Sequence, residues 1–351
     1  MIKSFAQRSR TLAAVGLAMT ALSTSAFADP VEDFYRGKQM DMVIGYSPGG
    51  TYDLYARLVA RFLGDFIPGK PKIVPRNMPG AGSRLAANWV YNLGPKDGTV
   101  IATADQSLAV EQAMGDKALS IDVSKFNYIG NPLADNNTTV TWFTSGVATI
   151  EDAKKQDVPM GATGGSTSSQ YPKAMNAILG TRFQIISGYP GGNDINLAME
   201  KGEVAGRGSN VWTAWKATRP DWLRDKKINI LVQIGLQKAK DLQNVPLLMD
   251  LATNPEDRAV LKLLSASVDV GRPIFAAPGV PAERVKALRD AFQLMIKDPT
   301  FLEAAKKENF DIDPRSGEEM QKIVSEIVAT PKPIAERLSQ IIGGIEQNTG
   351  R

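Results

Sequence analysis

Residues 42–66 read as a strand, a glycine turn and a helix in immediate succession, and this order constrains the fold more than any other stretch. Residues 42–46 form a short apolar run of strand type, and residues 47–53 follow as Ser-Pro-Gly-Gly-Thr-Tyr-Asp. Leu54, Leu58, Val59, Phe62, Leu63 and Phe66 then recur at the spacing of one helical face. A helix that starts directly after a glycine turn points unpaired backbone N–H groups at that turn, where the aligned peptide dipoles add positive potential. Such a terminus attracts anions.

The same order recurs. Residues 72–76 read as a second strand, 77–83 as a glycine loop, and Leu85, Trp89, Val90 and Leu93 mark a helix. After a turn at 94–98 come a third strand at 99–103, residues 105–107 and a short helix. Three such units predict a parallel sheet with right-handed crossovers, and ligands of such sheets bind at the carboxyl ends of the strands. Around 126–135 the pattern turns extended and polar, which marks passage into a second domain. There a strand at 139–143 leads to a helix from about Ile150. A strand ending near Met160 leads to a glycine-serine loop at 161–169 and a helix carrying Tyr171, Met175 and Ile178. A strand at 183–186 meets a loop at 188–194 and a helix with Ile195, Leu197 and Met199. Residues 228–234 read as a strand leading back to the first domain. Residues 273–278 form another strand, Pro281 opens a helix, and the chain after Pro299 is helical, interrupted by Pro331 and Pro333. The expected division is 29–130 with 236–351 as domain 1 and 131–235 as domain 2, joined by crossing segments near 128–135 and 232–240.

Residues 1–28 have the form of a cleavable secretory leader: Lys3, Arg8 and Arg10, then an apolar stretch, then Ala26-Phe27-Ala28. Its removal takes three of the 41 basic residues and none of the 37 acidic ones, so the mature chain is close to neutral and nothing calls for nucleic acid or an anionic membrane. The expected location is the periplasm. The chain has no histidine and no cysteine. That excludes disulfides, an imidazole base, a Ser-His-Asp triad and histidine or thiolate metal ligands, so neither a metal nor a cofactor is expected. Gly80 to Leu85 begins like a dinucleotide fingerprint but ends in leucine, and residues 161–169 lack the lysine of a phosphate cradle. Asp53, Asp105 and Asp194 fall at loop ends, where carboxylates can do acid-base work. However, Asp53 and Asp194 also suit the first turn of a helix.

Several glycine loops on matching edges of two sheets would face each other across a cleft. Backbone N–H groups there can hold a carboxylate, each charged hydrogen bond being worth about 1.5–3 kcal/mol. Pro48-Gly49-Gly50 with Asp53, Ala56 and Arg57, then Asn77-x-Pro79-Gly80-Ala81-Gly82, then Asp97-Gly98-Thr99, resembles the start of the tripartite tricarboxylate transporter solute receptors, also called the Bug family. Tyr189-x-Gly191-Gly192 and Ala277-Pro278-Gly279-x-Pro281-Ala282 are similar to that family's later signatures. The resemblance covers nearly the whole mature chain. It implies an α/β fold of the type II periplasmic-binding-protein kind, with two domains closing on a small carboxylate. It also implies delivery to a permease of one large and one small membrane subunit, by a monomeric, non-enzymatic receptor that holds its ligand largely through backbone amides and hydroxyls.

By position, the receptor's first loop maps to 46–53 and its second-domain loop to 163–166. The expected ligand-binding residues are Tyr46, Ser47, Gly49, Gly50, Thr51, Asp53, Asn77, Gln106, Thr163, Gly164, Gly165, Ser166, Gly191 and Asp194. Ser83 stands where the family often has a further glycine, and Tyr52 and Tyr55 either line the ligand's far side or pack on the sheet. Two rival functions fit the same residues: an exported enzyme using loop carboxylates, and a receptor that reports to a membrane sensor.

Overall fold

Strand and helix alternate along the chain, and each helix buries the apolar stripe that its sequence spaces at helical period. The computed structural model describes residues 29–343; the leader expected over 1–28 lies outside the described residues. In chain order the first elements are α1 (Pro30–Tyr35), β1 (Gln39–Ile44), α2 (Thr51–Phe66), β2 (Lys72–Asn77), α3 (Arg84–Asn92), β3 (Val100–Thr103), α4 (Leu108–Ala113) and β4 (Asn127–Asn131). There follow β5 (Asn137–Trp142), α5 (Ile150–Ala153), β6 (Val158–Ala162), α6 (Thr167–Leu179), β7 (Phe183–Ser187), α7 (Gly192–Glu200) and β8 (Gly206–Val211). Then come α8 (Trp212–Thr218), α9 (Pro220–Arg224), β9 (Ile228–Ile234), α10 (Pro255–Val270) and β10 (Ile274–Ala276). The chain ends with α11 (Ala282–Met295), α12 (Pro299–Lys307), β11 (Arg315–Ser316), α13 (Gly317–Val328) and α14 (Lys332–Gly343).

The strands form two sheets. The six-stranded sheet has the order β11-β4-β10-β3-β1-β2, and the five-stranded sheet the order β7-β6-β8-β5-β9. In the first, β1 runs parallel to β2 and β3, with Met42 opposite Pro75 and Ile101, while β10 is antiparallel to β3 and β4. In the second, β6 is parallel to β7 and β8, and β5 is antiparallel to β8 and β9. Each sheet is therefore a set of parallel strands with one antiparallel strand, β10 or β5, inserted among them, and in the first sheet β11 also runs antiparallel, at the edge beside β4. The chain leaves the first sheet after Asn131, enters the second at Asn137, and returns to the first with β10. This is a two-lobed α/β architecture.

Three apolar clusters hold it. One fills the face of the first sheet beneath α3 and α4 and continues through α10, α13 and α14 to α6 and the second sheet. Another seats α2, α11 and α12 on the opposite face of the first sheet. The third surrounds Trp215 and Trp222, whose rings stack at 5.7 Å in the second lobe. No helix among the described residues is long and apolar enough to cross a membrane.

The structure differs from the sequence reading in several places, among them α1, β4 and β11, which were not read, and the loop expected over 188–194, which ends where α7 begins at Gly192. The loop expected over 161–169 stops at Ser166, whose hydroxyl accepts from the Ser168 N–H and caps α6, so 167–169 are its first turn. Pro333 does not interrupt a helix but lies in the first turn of α14, where its missing N–H has no partner to lose. The helices α8, α9 and α10 were not read. Nor was β8, Gly-Arg-Gly-Ser-Asn-Val, which is buried throughout yet has no apolar alternation. It lies between β6 and β5 under α6, and a Cβ on Gly208 would come within 2.2 Å of the Ser168 carbonyl, so close backbone approach stands in for apolar side chains.

Candidate functional site

The loop after β1 turns back over its own sheet and delivers α2 with no side-chain cap, since Gly50 is its N-cap. The loop after β7 does the same on the second lobe, where Gly191 is the uncapped N-cap of α7. The two helix starts meet: an ideal Cβ on Gly50 would lie 3.6 Å from the Gly192 nitrogen. Two positive helix ends with free N–H groups thus converge on one cleft.

Between them lies a small cavity of about 40 Å³. On the first-lobe side, the rings of Tyr46 and Tyr52 lie 4.8 Å apart. The Tyr46 hydroxyl donates to Asp105 at 2.6 Å, and the Tyr52 hydroxyl accepts from the Gln106 N–H at 2.9 Å. Burial pushes both phenols well above their usual range, the Asp105 charge adding to it, so both stay protonated. On the second-lobe side the Thr163, Ser166 and Ser168 hydroxyls form a chain, with Thr163 to Ser166 at 2.7 Å and Ser166 to Ser168 at 2.8 Å. Ser209 and Asn210 of β8, together with Asn137 at the start of β5, complete that wall. The Asn137 side-chain nitrogen is buried with no hydrogen-bond partner among the described residues.

Two buried arginines face this cavity, one from each lobe. Arg207 is the second residue of β8, and its Nη1 donates to the Gly192 carbonyl at 3.2 Å and to the Asn196 side chain at 3.0 Å. Arg272 precedes β10 and lies 4.3 Å over the Tyr52 ring, with its Nη1 donating to the Gln106 side chain at 2.9 Å. Neither makes an ion pair with a carboxylate among the described residues, and the Nε of each is buried without a partner. Burial, followed by repulsion from Arg272, pushes the Arg207 guanidinium down to about 9, which leaves it cationic at neutral pH.

The lobes touch around this cavity. Ser47 donates to Asp194, the Ser47 N–H to the Pro190 carbonyl at 3.2 Å, Thr51 to Asn210 at 3.3 Å and Gln106 to Tyr171 at 3.2 Å. The geometry is that of a clasp: helix ends, hydroxyls and guanidinium groups that hold an anion while water is shut out. Among the described residues, no group of three or more acidic side chains is placed to hold a metal ion.

Of the residues expected from sequence, Tyr46, Gly50, Thr51, Gln106, Thr163 and Ser166 line the cavity. The others lie off it. Gly49 donates its N–H to Asp53 at 2.9 Å, and Asp53 also pairs with Arg57 at 2.9 Å and accepts from Asn77 at 2.7 Å, which locks the turn from behind. Gly164 packs on Ala81 and Gly82, and the Gly165 carbonyl accepts from Gln170 at 2.8 Å. Ser47, Gly191 and Asp194 form the lobe-to-lobe contact. The sequence reading of a charge-poor site missed Arg207 and Arg272. The signal for Arg272 was a lone arginine directly before a short apolar strand. For Arg207 there was none, because its strand was itself unread.

No family model matches the chain, and no curated protein matches it. Among solved structures it is similar to the periplasmic binding protein BugD, with TM-score 0.70 and 18% identity over 88% of this chain and 99% of that one. It is similar to MatC from Rhodopseudomonas palustris with bound malate, with TM-score 0.68 and 18% identity over 86% and 99%. It is also similar to R. palustris Rpa4515 with adipate, with TM-score 0.66 and 19% identity over 88% and 98%. The shared feature is the two-lobed α/β fold.

Proposed function

We propose that the chain is a solute receptor of the Bug type, which captures a small organic acid in the periplasm and presents it to a tripartite membrane permease. The observation that carries this reading is the convergence of two uncapped helix N-termini and two unpaired guanidinium groups on one interlobe cavity. The Asp105 carboxylate lines the same cavity, but two guanidinium groups and two helix N-termini outweigh its single negative charge, so the group held there is anionic. The likeness to binding proteins solved with malate and adipate supports a carboxylate as that group. The segments near 128–135 and 232–240 serve as the hinge, and the Ser47–Asp194 contact closes the far side. The permease partner and export through residues 1–28 follow from the same reading, as does a receptor that acts as a monomer and performs no chemistry.

The test is a thermal-shift screen of the purified mature chain against mono-, di- and tricarboxylates and aromatic acids, followed by calorimetry of the hits. Stoichiometric binding with a raised unfolding midpoint and no loss of the acid over time is expected. Turnover of the acid, or no stabilisation by any carboxylate, would reject the proposal.

A further inference from the structure

We propose that the Tyr46 side chain sets the length of the acid that this receptor accepts. Its ring divides the space between the lobes into an inner, charged chamber that holds the ligand and an outer, uncharged chamber that the ligand does not reach. The proposal rests on reading the cleft as an organic-acid site, and adds what ends that site.

Two cavities lie between the lobes, the inner one of about 40 Å³ and an outer one of about 230 Å³. Tyr46 and Thr163 line both, and they share no other lining residue. The chambers differ in chemistry. Asp105, Arg207 and Arg272 line the inner one. No charged side chain among the described residues lines the outer one, whose walls are the glycine loop over 79–83 and residues 163, 164 and 188–190.

The Tyr46 side chain is fixed across the gap between the lobes. Its hydroxyl donates to Asp105 of its own lobe at 2.6 Å, and the Thr163 side chain of the other lobe lies within hydrogen-bonding reach of the same oxygen. The Tyr52 ring packs on it at 4.8 Å, and the Asn77 side chain donates to the Tyr46 carbonyl at 2.8 Å. Tyr46 is only 5% exposed, so its ring has no room to swing aside. A phenol tied to both lobes is a bar that forms as the cleft closes. The lobes also touch next to it. The Ser47 N–H donates to the Pro190 carbonyl at 3.2 Å, and a Cβ on Gly82 would lie 2.9 Å from the Ser166 nitrogen. With backbone pressed together there, the Tyr46 ring is the piece whose removal joins the two chambers.

An acid drawn to the helix ends and guanidinium groups of the inner chamber therefore meets this ring where its chain would continue outward. A methylene beyond what the inner chamber holds has no space, and a filled site discriminates by size.

The experiment is calorimetry of the mature chain with unbranched mono- and dicarboxylates of two to eight carbons, repeated with Tyr46→Ala and Tyr46→Phe. The parent is expected to bind its best short acid tenfold or more tightly than any acid of seven or eight carbons. Tyr46→Ala should shrink that gap to less than threefold, because the chain then enters the outer chamber. Tyr46→Phe keeps the ring and loses only the hydroxyl, so it should retain the gap. The readout is the ratio of long-acid to short-acid affinity, which a general weakening of the site does not move. Should Tyr46→Ala fail to fold, Tyr46→Val carries the same expectation. A parent that binds long acids as tightly as short ones overturns the inference whatever the variants do. A gap that survives in the alanine or valine variant, or that Tyr46→Phe loses equally, also overturns it and leaves the organic-acid receptor standing. Failure of every acid to bind the parent overturns both.

Discussion

The Ser47 hydroxyl donates a 2.6 Å hydrogen bond to the Asp194 carboxylate, although 147 residues of chain separate them. The donor stands in the loop that launches α2 from the first sheet, and the acceptor in the first turn of α7 on the second. The contact exists only while the two helix N-termini face each other, so it belongs to the closed cleft and not to the stability of either lobe.

Ser47→Ala therefore weakens ligand binding and leaves the ligand-free protein almost unchanged. A hydrogen bond to a charged group is worth about 1.5 kcal/mol at the low end, or roughly tenfold in affinity. Calorimetry with the best ligand, beside denaturant unfolding without ligand, separates the two effects. A drop in free-state stability as large as the drop in binding energy would place the contact in the fold instead.

Gly191→Ala tests closure by sterics. Gly191 has φ −167°, extended backbone that any residue adopts, so the substitution does not strain its own lobe. With the lobes together, its Cβ would come within 2.2 Å of the Ser47 oxygen. Affinity is expected to fall tenfold or more, while the ligand-free unfolding free energy stays within about 0.5 kcal/mol of the parent, as for most changes that touch no core. An alanine variant that binds as tightly as the parent would show that the loops need not approach this closely.

Glu111 gives the protein a pH dependence. Burial pushes its carboxyl up to about 7, against the Arg84 guanidinium at 2.8 Å and the Ser107 hydroxyl at 2.7 Å, which pull it down. The folded state then binds this proton more tightly than the unfolded chain does. Stability from this group is complete below the ordinary glutamate value near 4.5, falls as pH rises towards 7, and is flat above. The slope has an upper bound of about 1.4 kcal/mol per pH unit for one proton. Urea unfolding at intervals from pH 4.5 to 7.5 should show that decline in the parent and a flatter profile in Glu111→Gln. Identical profiles would mean the carboxyl is ionised throughout.

Trp222→Ala probes the third apolar cluster. Trp222 is buried, stacks on Trp215 and meets the edge of Trp142 at 4.7 Å. Removing so large a buried ring costs about 3–5 kcal/mol. Chemical denaturation measures the loss directly, and a cost below 1 kcal/mol would show that the cluster collapses to fill the gap.

The alternation of strand, glycine loop and helix was legible in sequence because it is local: apolar spacing, turn residues and helix starts are each written in a few consecutive positions. Tyr46, Gly50, Thr51, Thr163 and Ser166 could be named on that basis, since a loop between a parallel strand and its helix always lies on the carboxyl edge. The loop residues behind the turn, such as Asp53 and Asn77, carry the same local signature as those in front, so sequence could not tell which of them face the cavity. Tertiary structure alone decided that, and also that β8 is a strand, because its burial comes from neighbouring backbone packed against glycine and not from apolar side chains of its own. Above all it decided which charges matter. The sequence holds 41 basic residues, and whether an arginine is solvated, paired or left without an acidic partner inside a cleft depends on what distant segments bring beside it. For Arg207 and Arg272 they bring a ring, amide side chains and backbone carbonyls, with no carboxylate at ion-pair distance among the described residues.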